Sequence, residues 1–102
     1  MNKNPKDDSG WTPLHDAAQE GHLRICQIIV NNVTDKNPKD EIGWTPLHAA
    51  ATKGHLDICQ LIAEKIEDNN PADIKGVTPQ QILLERLNAI NWGQIFMLKN
   101  SD

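Results

Sequence analysis

A thirteen-residue block recurs at a spacing of 33 residues, and this period constrains the fold more than any other feature of the chain. The block GWTPLHAAATKGH occupies residues 43–55, a close copy occupies 10–22, and a partial copy begins at 76–79. Between residues 4–36 and 37–69, 20 of 33 positions are identical. Such a period indicates a stacked-repeat architecture, in which each unit contacts only its neighbours.

The composition excludes several classes of partner. The chain has 102 residues, enough for one domain, and a net charge of −4. Nucleic acids and anionic membranes select a basic face, so neither is an expected partner. No stretch approaches the roughly 20 apolar residues of a membrane span. The first residues also lack the apolar core of a secretory signal.

Two cysteines, Cys26 and Cys59, recur at the same position of two units. Stacked helices lie about 8–10 Å apart, whereas a disulfide needs Cα atoms roughly 4.4–6.8 Å apart. We therefore predict two buried, reduced thiols and a reducing compartment. The predicted location is the cytoplasm, with the nucleus possible.

Each unit opens with a turn and a helix start that can be read from residue type. Aspartate at the first position and glycine at the fourth suit a type I turn, which is predicted at residues 7–10, 40–43 and 73–76. Threonine is a good helix cap, and proline fits the first helical position. These pairs are Thr12-Pro13, Thr45-Pro46 and Thr78-Pro79.

Two helices follow in each of the first two units. The first carries leucine and alanine on one face and ends at Gly21 or Gly54. Apolar residues cover more than half of the circumference of the second helix, which predicts packing on two sides. Its apolar residues are Leu23, Ile25, Cys26, Ile28, Ile29 and Val30 in unit one, and Leu56, Ile58, Cys59, Leu61, Ile62 and Ile66 in unit two.

The repeated Gly-Trp-Thr-Pro-Leu-His-x-Ala-Ala-x-x-Gly-His block resembles the ankyrin repeat. This resemblance implies an all-α solenoid of helix-turn-helix units joined by β-hairpin-like loops. It divides a single domain, residues 1–102, into repeat 1 at 4–36, repeat 2 at 37–69 and a capping repeat at 70–99. The family's usual role is protein–protein recognition, without catalysis, cofactor or metal.

The third unit departs from the pattern. Gln80 and Gln81 replace the leucine and histidine, and Leu87 stands at the glycine position. Because terminal units must present a polar outer face, we interpret this unit as a C-terminal cap with a late second helix at residues 93–98. Its polar residues are Gln80, Gln81, Glu85, Arg86, Asn88 and Asn91.

The four histidines all occupy repeat positions. In the ankyrin-repeat family that the sequence resembles, the histidine at the position of His15 and His48 forms hydrogen bonds to the turn and to the neighbouring unit. We therefore expect a structural role. We expect the same of His22 and His55. No nucleophile or metal-ligand spacing accompanies them, which argues against catalysis.

The candidate binding surface follows from the resemblance. Trp11 and Trp44 precede Thr-Pro, a position that lies at the hairpin base on the concave side in this family. They are either partner anchors, a common role of tryptophan, or packing residues, and both roles stay open. The other candidate residues are Asp8, Ser9, Asp16, Gln19, Glu20, Glu41, Ile42, Thr52, Lys53, Ile74 and Lys75.

The sequence therefore predicts a non-catalytic protein-interaction module, whose partner matches a charge gradient from acidic to basic and an apolar spot at Ile42 and Trp44. An engineered scaffold and an excerpt of a longer array are the alternatives. An enzyme ranks last, because no phosphate loop, nucleophile elbow or metal motif appears. The chain as a substrate of an asparaginyl hydroxylase at Asn37 is a further alternative. We expect a monomer, or a weak homo-oligomer through an end face that exposes Ile25 and Ile29.

Overall fold

The computed structural model describes residues 5–86, which contain five helices and no strand. The helices are α1 Pro13–Glu20, α2 Leu23–Asn32, α3 Pro46–Lys53, α4 Leu56–Ala63 and α5 Pro79–Arg86. Helix α3 packs between α1 and α5, and α2 packs on α4. The first helices of the units thus form one layer and the second helices form another. The predicted all-α solenoid is confirmed.

Helices α1 and α3 each begin with a reciprocal pair of hydrogen bonds between a threonine and a histidine. Thr12 Oγ1 accepts from the backbone N–H of His15 at 3.3 Å, and His15 Nδ1 accepts from the backbone N–H of Thr12 at 3.1 Å. Thr45 and His48 form the same two bonds. This capping box satisfies two backbone donors that a helix start leaves without intrahelical partners. The predicted caps are confirmed.

The core between the two layers is built from the repeated leucines and alanines. Leu14 and Leu47 are buried at the same position of α1 and α3. Ala49, Ala50 and Ala51 are fully buried in α3, which has a neighbour on both sides in its layer. Their small side chains let those neighbours approach closely. Close packing of matched surfaces is the main stabilising contact available to a stack of short units.

The second helices are less enclosed than the sequence predicted. In α2 only Cys26 and Val30 are fully buried, while Ile25 is 47% and Ile28 is 57% exposed. The reason is that α2 contacts α1 and α4, and no further helix of residues 5–86 packs on its outer side. Ile29, expected at an exposed end face with Ile25, is instead partly buried against the core.

Helix α4 also ends earlier than predicted. It stops at Ala63, and Glu64 and Lys65 form a turn. Ile66 therefore lies beyond the helix to which the sequence assigned it. Its side chain still packs against the core, so the apolar pattern correctly indicated burial but not helix length.

A tight turn with hairpin geometry precedes α1, α3 and α5. In the first unit, the Gly10 N–H donates to the Asp7 carbonyl at 3.0 Å, and the Asp7 N–H donates to the Trp11 carbonyl at 2.8 Å. The Asp7 carboxylate accepts the N–H groups of Ser9 and Trp11, both at 2.9 Å. The other two turns repeat the pattern. Aspartate thus organises each turn, as predicted.

Neighbouring hairpins are joined by equivalent backbone hydrogen bonds. The Glu41 N–H donates to the Ser9 carbonyl at 3.0 Å, and the Ile74 N–H donates to the Ile42 carbonyl at 2.9 Å. Each donor and acceptor is related to its counterpart by the 33-residue repeat. The three hairpins therefore stand in register beside one another at one edge of the helix layers.

Several predictions lie outside the described residues. They concern the late second helix of the capping unit at residues 93–98, the apolar residue Leu87, and the polar residues Asn88 and Asn91. The repeat boundaries likewise stay predictions. Gln80, Gln81, Glu85 and Arg86, which are described, are all exposed.

A glycine pair provides a test of the hairpin contacts. Gly10 and Gly76 have nearly equal positive φ, 86° and 84°. A Cβ on Gly10 would lie 2.8 Å from the Asp40 Cα, whereas a Cβ on Gly76 would meet nothing within 4 Å. We expect Gly76→Ala to cost about 1–2 kcal/mol from left-handed strain alone. Gly10→Ala should cost at least about 1 kcal/mol more, because it adds overpacking.

Urea unfolding of the two variants and the parent measures this difference in the free energy of unfolding. Equal losses would contradict close packing of the first two hairpins.

Candidate functional site

Two buried histidines connect each hairpin unit to the next. His15 Nε2 lies 2.9 Å from the Trp44 carbonyl oxygen, and His48 Nε2 lies 2.9 Å from the Val77 carbonyl oxygen. In both rings, Nδ1 accepts a backbone N–H from the capping threonine. A backbone N–H only donates and a carbonyl only accepts, so the proton resides on Nε2. The predicted structural role of these histidines is therefore observed.

The environment favours the neutral form of both rings. Burial lowers the pKa of His15 and of His48 below 6.5, and hydrogen bonds to carbonyl oxygens oppose this shift only in part. A second proton on Nδ1 would point at a backbone N–H, which cannot accept it. Protonation would thus break one bond of each capping box.

The two indoles stack on these histidines. The Trp11 ring lies 4.5 Å from the His15 ring, centroid to centroid, and its Nε1 donates to Asp16 Oδ1 at 2.5 Å. The Trp44 ring lies 5.4 Å from the His48 ring. Both indoles are half-buried. Each therefore packs on its own unit while keeping part of its surface accessible.

Trp44 also bonds to the next hairpin, through Asp73. Trp44 Nε1 donates to Asp73 Oδ2 at 3.0 Å, and Asp73 Oδ1 accepts the N–H groups of Lys75 at 2.8 Å and Val77 at 2.9 Å. The Val77 bond is the largest of the effects that lower the pKa of Asp73. An ionised carboxylate already holding three donors is a structural group rather than a base.

Arg86 has a role that the sequence did not indicate. In the first two units, His55 lies over Gly21 and its Nε2 lies 3.2 Å from the Gln19 carbonyl oxygen. The third unit has asparagine at the histidine position. There the Arg86 guanidinium lies over Gly54, and its Nη1 donates to the Thr52 carbonyl at 3.1 Å. Arginine thus replaces histidine at the second junction.

We call the surface formed by the three hairpins and the adjoining side of α1, α3 and α5 the hairpin face. Between the second and third hairpins it contains an open groove of about 530 Å³. The groove is lined by Ile42, Trp44, Thr52, Asp73, Ile74, Lys75, Val77 and Ile82. Five of these were predicted from the sequence: Ile42, Trp44, Thr52, Ile74 and Lys75.

The sequence missed Asp73, Val77 and Ile82 as lining residues. The available signal was Val77, which stands where the first two units carry tryptophan. The remaining candidates do not line the groove. Asp8, Ser9, Asp16, Glu20, Glu41 and Lys53 are exposed, and Gln19 is half-buried.

Some candidate side chains already have structural partners. Ser9 Oγ donates to Asp7 Oδ1 at 2.9 Å, and Thr52 Oγ1 donates to the His48 carbonyl at 2.9 Å. Asn37, considered as a modification site, is partly buried, and its Oδ1 accepts from the Leu47 N–H at 3.4 Å.

The described residues show no metal site and no reactive thiol. No group of three or more histidine, cysteine or acidic side chains within residues 5–86 is arranged to hold a metal ion. Cys26 and Cys59 are unpaired; Cys26 is buried as predicted, whereas Cys59 is only half-buried. Desolvation raises their pKa values to about 11 and about 12. Both are protonated at neutral pH and weak nucleophiles. None of the helices α1 to α5 has the length and apolarity that crossing a bilayer requires.

Stacked helix pairs, capping boxes and bonded hairpins together define a stacked-repeat protein of the kind that the sequence resembled. A family model of ankyrin repeats, in three copies, matches residues 1–79. The chain belongs to the ankyrin-repeat family. Members of this family are generally protein–protein interaction modules and are typically non-catalytic. No curated protein matches the sequence significantly.

The histidine geometry predicts a pH-dependent stability. Because the pKa of both rings is lower in the fold than the ordinary 6.5, the unfolded chain binds more protons below pH 6.5. The free energy of unfolding should therefore be greatest above pH 6.5 and fall as the pH drops through the lowered pKa values. His48→Gln should lose about 1–2 kcal/mol at pH 7.5 and show a smaller loss in acid.

Glutamine is a suitable replacement because Gln81 occupies this position in the third unit, where its N–H donates to Thr78 Oγ1. Urea unfolding between pH 7.5 and 5 measures both effects. An unchanged pH profile in His48→Gln would argue against the role given to this ring.

Proposed function

We propose that the chain is a non-catalytic protein-interaction module that binds its partner through the hairpin face. The observation that supports this is the exposure of large apolar side chains there. Ile42 is 45% and Ile74 is 71% exposed, and neither belongs to the core. Exposed apolar side chains that the fold does not use are typical of interaction sites when they cluster in a concave surface.

The charges of the hairpin face support a partner with a matching gradient. Exposed Asp8, Asp16 and Glu20 lie in the first unit, whereas the second and third units combine exposed Lys53, Lys75 and Arg86 with exposed Glu41 and Glu85. We propose that a partner presents basic groups to the first unit and acidic groups to the other two. Its apolar contact would be with Ile42 and the accessible part of Trp44. Such complementarity fixes orientation and accelerates encounter.

The remaining parts of the proposal concern cellular context. The two unpaired cysteines favour a cytoplasmic location, with the nucleus possible. No cofactor is needed for recognition of this kind. We propose a monomer, or a weak homo-oligomer through an exposed end face that includes Ile25.

Affinity capture tests the proposed surface. The test variant is Ile42→Glu with Lys53→Glu, two exposed side chains that form no hydrogen bond within residues 5–86. The matched control is Ile28→Glu with Arg24→Glu, which places the same substitutions on the exposed side of α2. Circular dichroism and thermal melting establish that both are folded. Mass spectrometry then compares the proteins that each retains from a lysate of the source cells.

We expect a protein that the parent and the α2 control retain and the hairpin-face variant loses. Equal retention by all three would contradict the proposed surface. Absence of any retained protein would favour a scaffold without a partner of its own.

A further inference from the structure

We propose that the groove between the second and third hairpins receives an extended acidic segment of the partner protein. One aliphatic or aromatic side chain of that segment enters the groove, and a neighbouring aspartate or glutamate pairs with Lys75. This inference rests on the proposed function and adds the chemistry of the bound segment. Four features of the described residues support it.

The first feature is a change of side-chain size at one repeat position. Trp11 and Trp44 precede Thr-Pro in the first two units, and Val77 stands there in the third. Val77 and Trp44 both line the groove. A valine in place of an indole leaves the space next to Trp44 open, so the third unit lacks the side chain that its two predecessors carry at this position.

The second feature is a change of polarity at two surrounding positions and of side-chain size at a third. The groove is lined by Ile42, Ile74 and Ile82. The residues 33 positions earlier are Ser9, Glu41 and Ala49, respectively. The apolar lining is thus particular to the second junction and is not a general consequence of the repeat.

The third feature is the state of the polar groups in the lining. The Asp73 carboxylate holds three donors, the Trp44 N–H is one of them, and the Thr52 hydroxyl bonds to a carbonyl. Lys75 is exposed, and its ammonium group has no hydrogen-bond or ion-pair partner within residues 5–86. The charged group left for a ligand is therefore a cation, and the complementary group is a carboxylate.

The fourth feature is the size and openness of the site. A groove of about 530 Å³ is within the usual roughly 300–1,000 Å³ of binding pockets. Ile74, one of its lining residues, is 71% exposed, so the groove is open to solvent on that side. This arrangement suits one anchor side chain projecting from a longer segment. A small polar ligand would find few directional contacts in this groove, because Lys75 supplies a single free charge.

Selection from a displayed library of random twelve-residue peptides tests the proposal with the full chain as bait. We expect enrichment of peptides that combine an aliphatic or aromatic residue with aspartate or glutamate within two positions. Affinities of the enriched peptides are then measured by fluorescence anisotropy against the parent and five variants, described below.

The blocking variant is Val77→Trp, which places in the third unit the residue that the first two units accommodate. We expect at least a tenfold loss of peptide affinity, because the indole fills the space for the anchor. Thermal melting and the far-ultraviolet circular dichroism spectrum should match the parent. Ile74→Glu should weaken binding similarly, whereas Ile28→Glu, an equally drastic change on α2, should leave affinity unchanged.

The charge variant is Lys75→Glu, and its matched control is Lys65→Glu after α4, another exposed lysine. We expect Lys75→Glu to weaken the acidic peptides roughly three- to tenfold, the range of a partly exposed ion pair whose sign is reversed. Replacing the acidic residue of the peptide with lysine should restore affinity for the Lys75→Glu variant and for none of the other proteins. Lys65→Glu should match the parent throughout.

Several results would overturn the inference: no enrichment, enriched peptides without an acidic residue, or binding that survives Val77→Trp. The proposed function is separable from it. If captured proteins depend on Ile42 and Lys53 but not on Val77→Trp, the hairpin face is the binding surface and the groove inference is wrong.

Discussion

The fold depends on a histidine that uses both ring nitrogens at once. In His15 and His48, Nδ1 completes the cap of the ring's own helix, and Nε2 donates to a carbonyl of the next hairpin. One side chain therefore fixes the helix start and the position of the neighbouring unit. Because no side-chain polar atom buried within residues 5–86 lacks a partner, the two rings carry little cost of burial. The use of one side chain for both the helix cap and the contact between units suits units that are too small to fold alone.

The frame of the proposed binding surface depends on the same histidine bonds. The histidine bonds and the backbone bonds between hairpins hold the hairpin tips in register, so their side chains project from a fixed frame. Positions that serve the frame repeat, such as the turn aspartates and the capping threonines. Positions that do not serve it are free to differ, and the groove arises where Val77, Ile74 and Ile82 differ from the earlier units. The apolar side chains of the groove that differ between units are thus not those that form the frame.

The sequence predicted the parts of the structure that depend on local chemistry. Aspartate and glycine determine the turns, and threonine and proline determine where α1 and α3 begin, so these features could be read directly. Other features depend on which neighbour a residue meets. Ile28 is exposed because α2 has no helix of residues 5–86 on its outer side, and Arg86 lies over Gly54 at the second junction, where His55 lies over Gly21 at the first. The groove forms only when the second and third units stack in space, so local sequence could not predict it, although the valine at position 77 indicated its location.

Proton-detected nuclear magnetic resonance of the imidazole nitrogens tests the central claim most directly. The account predicts that His15 and His48 are neutral at pH 7, with the proton on Nε2, slow exchange with water and coupling to the carbonyl carbons of Trp44 and Val77. A proton on Nδ1, or fast exchange at Nε2 in both rings, would show that these histidines do not tie the units together.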